Sequence, residues 1–181
     1  MNNATSITIS IIIALALVGG TLFFISSNKS EPKNIVERKQ IMEIGEYDSA
    51  HKHLSILAFI AGAPINFSQD KYMLKDPLVH FEESDGSIIH VHTTGVTLPF
   101  FFDTLGIDMQ NKCIILDTGL QYCNTESNTL RTIINGVEII DIESYELKHG
   151  DIVLVNYGND DSTQLKFKFN AVSYIPLELM E

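Results

Sequence analysis

Five histidines fall in two patterned places in this chain. His51 and His53 bracket Lys52, and His90 and His92 bracket Val91, with His80 shortly upstream. On a β-strand, residues two apart share a face, so each His-x-His pair can offer two imidazole nitrogens to one ion. The stretch from Leu78 to Thr94, LVHFEESDGSIIHVHTT, reads as a β-hairpin closed by the three-residue loop Ser84-Asp85-Gly86, with Gly86 in the left-handed position. That loop sets the register so that Glu83 faces Ser87 and His80 faces His90, which brings His80, His90 and His92 onto one face. A two-residue Asp-Gly turn would instead pair His80 with Val91 and send its ring to the other face. His51, His53, His80, His90 and His92 are therefore the expected metal ligands. Five candidates are more than a four-coordinate zinc needs, and a histidine-only set suits Cu(II) and Zn(II) alike. Asp48, just before His51, is a candidate oxygen ligand or an acceptor for a ring N–H. His149, beside Gly150 in a turn and isolated from the others, is expected at the surface. The competing reading is that the hairpin histidines are ordinary residues on the wet face of a sheet.

Nothing in the chain adds a catalytic signature to these histidines. A catalytic zinc site calls for an open position and a carboxylate base, and no His-Glu-x-x-His motif is present. No glutamate follows His90-x-His92 at a cupin-like spacing, and no serine or cysteine sits in a recognisable nucleophile arrangement. The chain reads as non-enzymatic in preference to enzymatic.

The two cysteines have their own hairpin. Lys112 to Asn124, KCIILDTGLQYCN, turns at Asp117-Thr118-Gly119 and places Cys113 and Cys123 near opposition on antiparallel strands. A structural disulfide is the first reading and a reduced pair joining the metal site the second. A redox-active pair comes last, because Cys-x-x-Cys spacing and a helix N-terminus are both missing.

The organisation around these sites is simple. Thr5 to Ser27 carries no charge and is long enough to cross a bilayer, so residues 5–27 are expected to be a transmembrane anchor behind a short tail, 1–4. A cleaved signal peptide is the alternative. Residues 28–47 form a polar tether, with a short amphipathic stalk from Ile35 to Ile44. Lys29, Lys33, Arg38 and Lys39 follow the span, which by the positive-inside rule favours a cytoplasmic domain. The disulfide argues for the opposite, extracytoplasmic face, which is the expectation adopted. Of 23 acidic residues all but Glu31 and Glu37 lie beyond residue 40, and such a body repels nucleic acid and anionic lipid. The expected partners are membrane lipid at the N-terminal helix and, in the alternative reading, a membrane protein complex.

The domain proper, 48–158, reads as strand (53–60), a turn at Ala61-Gly62-Ala63-Pro64 and a second strand at Ile65-Asn66-Phe67. One helical turn capped by Ser68 follows, then the histidine hairpin. Thr97, Pro99 and Gly106 mark the N-cap, first turn and end of a short helix from Leu98 to Leu105, whose phenylalanines belong to the core. After the cysteine hairpin, Asn135-Gly136 makes another, and Gly150-Asp151 announces a final strand, Ile152 to Tyr157. In the extension, 159–181, Leu165, Phe167 and Phe169 alternate with Lys166 and Lys168, as in an edge strand protected by lysines.

The run INGVEIIDIESYELKHGDIVLVNYG resembles the C-terminal half of ubiquitin-like β-grasp domains, and implies an α+β fold: a β-grasp-like mixed sheet of hairpins over one short helix. HKHLSILAFIAGAPINFSQDKYM, VHFEESDGSIIHVHTTGVTLPFFFDTLGI and the cysteine hairpin are similar to a family of small membrane-anchored proteins of ammonia-oxidising archaea. Some of that family carry a protein-disulfide isomerase label. The expected function is a membrane-anchored extracytoplasmic domain that binds copper or zinc as carrier, sensor or accessory module. The alternatives are an interaction subunit of a membrane complex and, behind it, a thiol–disulfide oxidoreductase.

Overall fold

The fold is built around β1 (Lys52–Ile60), whose even-numbered residues Leu54, Ile56, Ala58 and Ile60 are buried along one face. The computed structural model describes residues 43–173; the expected anchor at 5–27 and most of the tether lie outside the described residues. Among the described residues, no helix is long and apolar enough to cross a membrane.

β2 (Ala63–Pro64), β3 (Val79–Glu82), β4 (Asp85–Val91), β8 (Thr129–Ile134), β9 (Val137–Glu138) and β10 (Ile152–Gly158) join β1 in one mixed sheet. The order is β3-β4-β1-β10-β8-β9, with β2 folded back onto β1. β1 and β10 run parallel at the centre, and every other pairing is antiparallel. A three-stranded sheet of β5 (Asp108–Gln110), β6 (Cys113–Ile115) and β7 (Gln121–Cys123) stands apart, and in it Cys113 opposes Cys123 and forms the expected disulfide.

The main core lies between the large sheet and α1 (Leu98–Thr104). Thr97 Oγ1 accepts from the Phe100 N–H, Pro99 sits in the first turn, and Gly106 follows at φ +77°, so this helix begins and ends on the residues expected of it. Its Phe100, Phe101 and Phe102 are fully buried, with Phe101 edge-on to Phe81 of β3 at 5.1 Å.

The last strand is fixed by a buried carboxylate. Asp151 accepts from the Lys148 N–H (2.8 Å), the Tyr145 hydroxyl (3.2 Å) and Asn135 Nδ2 (2.8 Å), while Asn135 Oδ1 accepts from the Ile152 N–H. The Asn135-Gly136 turn therefore fastens β10 as well as linking β8 to β9.

Two local expectations are corrected. No strand forms at Ile65-Asn66-Phe67; the pairing is Ala63–Pro64, and the helical turn that follows, Asp70–Tyr72, has no side-chain cap. Ser68 Oγ accepts instead from the Gly86 N–H. The C-terminal segment expected as an edge strand is a helix, α2 (Ser162–Ser173). Its start is a reciprocal cap: Asp161 Oδ1 accepts from the Thr163 and Gln164 N–H groups, and Gln164 Oε1 accepts from the Asp161 N–H. That cap, with Leu165 and Val172 two turns apart and buried, overrides the short alternation Leu165-x-Phe167-x-Phe169. α2 packs on β10 and β1. Leu154, Leu165 and Val172 are buried apart from the main core, and by strand alternation Leu154 lies on the face opposite α1. This second face, carrying α2 at one end, is the face on which His53 stands.

Candidate metal centre

The strand registers assemble the histidines into a grid. His53 of β1 opposes His90 of β4, which opposes His80 of β3, so three rings line up across three neighbouring strands. One step along, His92 stands two residues from His90 and His51 two residues before His53, on the same face by alternation. Ring centroids lie 4.8 Å apart for His51–His53, 4.6 Å for His53–His90, 5.1 Å for His51–His92 and 5.0 Å for His80–His92. All five sequence-chosen histidines are thus brought together.

The hairpin reaches this register by a different route from the expected three-residue loop. Glu83 and Ser84, both at positive φ, form a two-residue turn that pairs Glu82 with Asp85. A register shift between Glu82 and His80 then restores the pairing of His80 with His90. Gly86 falls where extra residues of β4 pass Phe67 and Ser68, so close that a Cβ there would overlap their backbone atoms. Glycine is required here by the close approach of two segments of the chain, not by the left-handed conformation expected of it, which Gly86 does not adopt.

Two residues join the cluster that sequence reasoning did not assign to it. Glu82 lies two residues after His80, and its carboxylate reaches both His80 Nε2 (3.3 Å, to Oε2) and His90 Nδ1 (3.2 Å, to Oε1). The signal was a His-x-Glu spacing on one strand. His149 is exposed, as expected, yet is not isolated: its ring lies 6.0 Å from that of His53 and its Nδ1 accepts from the His53 backbone N–H at 3.1 Å. Only the parallel pairing of β1 with β10 brings it there. Asp48 donates its backbone N–H to His92 O and contributes to the field at the His92 ring.

Hydrogen bonds fix the tautomers. His80 Nδ1 lies 2.9 Å from the Asp76 carbonyl oxygen, which can only accept, so Nδ1 carries a proton, and in the neutral ring Nε2 presents a lone pair. Directing one ring N–H at a backbone carbonyl is how metal-ligating histidines are oriented. Nε2 faces the Glu82 carboxylate at 3.3 Å: a protonated ring donates to it there, and a neutral ring and the carboxylate together offer two donors to a metal ion. His51 Nε2 and His53 Nε2 are 3.1 Å apart. His149 differs: with Nδ1 accepting a backbone N–H, its neutral ring carries the proton on Nε2 and has no free lone pair.

Burial favours the neutral form of His53, His90 and His92. Burial pushes the His53 imidazole down to about 4, with the neighbouring His90, His51 and His149 acting in the same direction and Glu82 opposing. His90 and His92 are also lowered, by burial first. Neutral imidazole is the form that binds a metal. Among the described residues, no three of these donors are grouped so as to hold one ion; they stand in pairs.

Neither a family model, nor a curated protein, nor a solved structure matches this chain.

Proposed function

We propose that this protein is a membrane-anchored, extracytoplasmic domain that binds a transition-metal ion, copper or zinc, on the histidine face of its sheet, as carrier, sensor or accessory module. The observation that carries this reading is His80: its Nδ1–H is committed to the Asp76 carbonyl, and its Nε2 and the Glu82 carboxylate lie 3.3 Å apart. Ligands on a tetrahedral zinc with bonds near 2.05 Å are separated by about 3.3 Å. The His51–His53 nitrogen pair, at 3.1 Å, has the same kind of spacing.

The placement outside the cytoplasm is supported by the Cys113–Cys123 disulfide, and the anchor by the uncharged stretch from Thr5 to Ser27. A β-grasp assignment is supported by the parallel central pair β1 and β10 flanked by antiparallel neighbours, with α1 across one face. A role as an interaction subunit is favoured by Val137 and Ile140, which are 62% and 77% exposed at and just beyond the edge strand β9.

The test is metal content and thermal stability of the purified, untagged full-length chain, with and without added Zn(II) or Cu(II). A variant with His80, His90 and His92 changed to alanine serves as comparison. Retained metal and a rise in Tm in the wild type alone support the binding role. Equal indifference of both chains to either metal refutes it and leaves the interaction reading.

A further inference from the structure

The donors on the histidine face outnumber the needs of one ion, and their arrangement is in pairs. One pair, His51 Nε2 and His53 Nε2 at 3.1 Å, lies at the start of β1, His51 just before it and His53 within it. The other, His80 Nε2 and Glu82 Oε2 at 3.3 Å, belongs to β3. β4 runs between these strands, and the rings of its His90 and of His92, just past its end, stand between the two pairs. Neighbouring strands are about 4.8 Å apart, so the backbones bearing the two pairs are separated by roughly 10 Å. Each pair closes within its own stretch of chain as an i, i+2 chelate, and neither borrows an atom from the other.

Resting on the metal-binding reading above, we infer that this face holds two divalent metal ions, one at the His51–His53 nitrogen pair and one at the His80–Glu82 nitrogen–oxygen pair. His90 lies 4.6 Å from His53, centroid to centroid, with its Nδ1 on Glu82, and His92 lies between the two pairs, 5.0 Å from His80 and 5.1 Å from His51. Each pair supplies two protein ligands, which leaves the other positions of a four-coordinate ion to water or to a second molecule. The two positions differ in character: the β1 position is all imidazole, and the β3 position carries a carboxylate. A carboxylate donor favours Zn(II) or Cu(II) over Cu(I), whose preference is for thiolate and thioether. His149 takes no part as a ligand, since its Nδ1 accepts from the backbone and its Nε2 bears the proton.

The experiment is a calorimetric Zn(II) titration of the chelator-stripped, untagged full-length chain, with bound metal counted independently by elemental analysis. The wild type is expected to take two ions per chain, and His51→Ala and Glu82→Gln one ion each. His51→Ala combined with Glu82→Gln is expected to take none, and His149→Ala to keep both. His51 is exposed and Glu82 only partly buried, so these variants leave the fold intact. The wild-type stoichiometry decides the matter without any variant. A single ion in the wild type, abolished by either substitution, overturns the two-ion inference and leaves the metal-binding function standing as one shared site. No ion in the wild type overturns both.

Discussion

Acidification of the metal-free protein isolates the histidine face from the rest of the fold. His53 titrates near 6.5 when unfolded and at about 4 in the folded chain, where it is 6% exposed. Above the unfolded value the ring is neutral in both states and contributes nothing to pH dependence. As pH falls below it, the unfolded chain takes up a proton that the folded chain refuses, so stability declines until the folded value is passed. With these two values, the loss between pH 7.5 and pH 5 is about 2 kcal/mol from His53 alone, approaching about 3 kcal/mol at lower pH. The groups facing it are His51 just before its own strand, His90 and Glu82 from the hairpin, and His149 ahead of β10. His90 and His92, also lowered, act in the same direction. Asp117 and Glu146 are held low chiefly by hydrogen bonds from Lys71 and Lys52, and their stabilisation is present above the usual carboxylate range. It is lost only as pH falls through their lowered values, so they are silent in this window. The assay is urea unfolding of the full-length chain in chelator across that range, beside His53→Gln, which keeps the bulk and cannot titrate. The wild type should lose stability steeply and the variant by at least about 1 kcal/mol less. Parallel pH profiles for the two proteins would refute a buried, neutral His53.

Further perturbations test other parts of the structure. Ser55 Oγ is buried without a hydrogen-bond partner among the described residues, on the same face as His53. Ser55→Ala should therefore be neutral or stabilise by up to about 1 kcal/mol in denaturant unfolding, whereas clear destabilisation would mean that the hydroxyl has a partner. Cys113→Ser with Cys123→Ser opens a loop of sequence separation 10, for which the chain-entropy relation gives a loss of about 2–3 kcal/mol, read as a lowered urea midpoint. Gly86→Ala drives a methyl group into the backbone of Phe67 and Ser68 and should destabilise by at least about 2 kcal/mol; a variant as stable as wild type would show that the two segments separate freely.

What was legible in the sequence was whatever followed from short-range backbone chemistry. Thr97, Pro99 and Gly106 bounded α1, Asn135-Gly136 made a hairpin, and the cysteine hairpin placed its two sulfurs opposite one another. The pairing of His80 with His90 was also legible, although the turn was not. Alternation fixes which face a side chain takes, and burial of Val79, Phe81, Ile89 and Val91 on the core face demands that register whatever the turn does. α2 was misread because three alternating apolar residues imitate a strand, while the deciding signal, Asp161 and Gln164 in a reciprocal cap, lay just upstream. His149 was out of reach for a different reason. Its place beside His53 depends on a parallel pairing between strands nearly a hundred residues apart, and no local pattern announces that contact.

The histidine face is not explained by the stability of the fold. The main core lies on the opposite side of the sheet, between the strands and α1. α2 covers the other end of the histidine face, with Leu165 and Val172 buried beside Leu154. At the free end, where apolar or plainly charged residues would serve folding better, His53 is buried at a penalty that grows in acid. Local departures from the arrangement that best serves folding collect at functional sites. Rings drawn from β1, β3, β4 and the approach to β10 converge at this one place, which is where the proposed metal binding is to be tested.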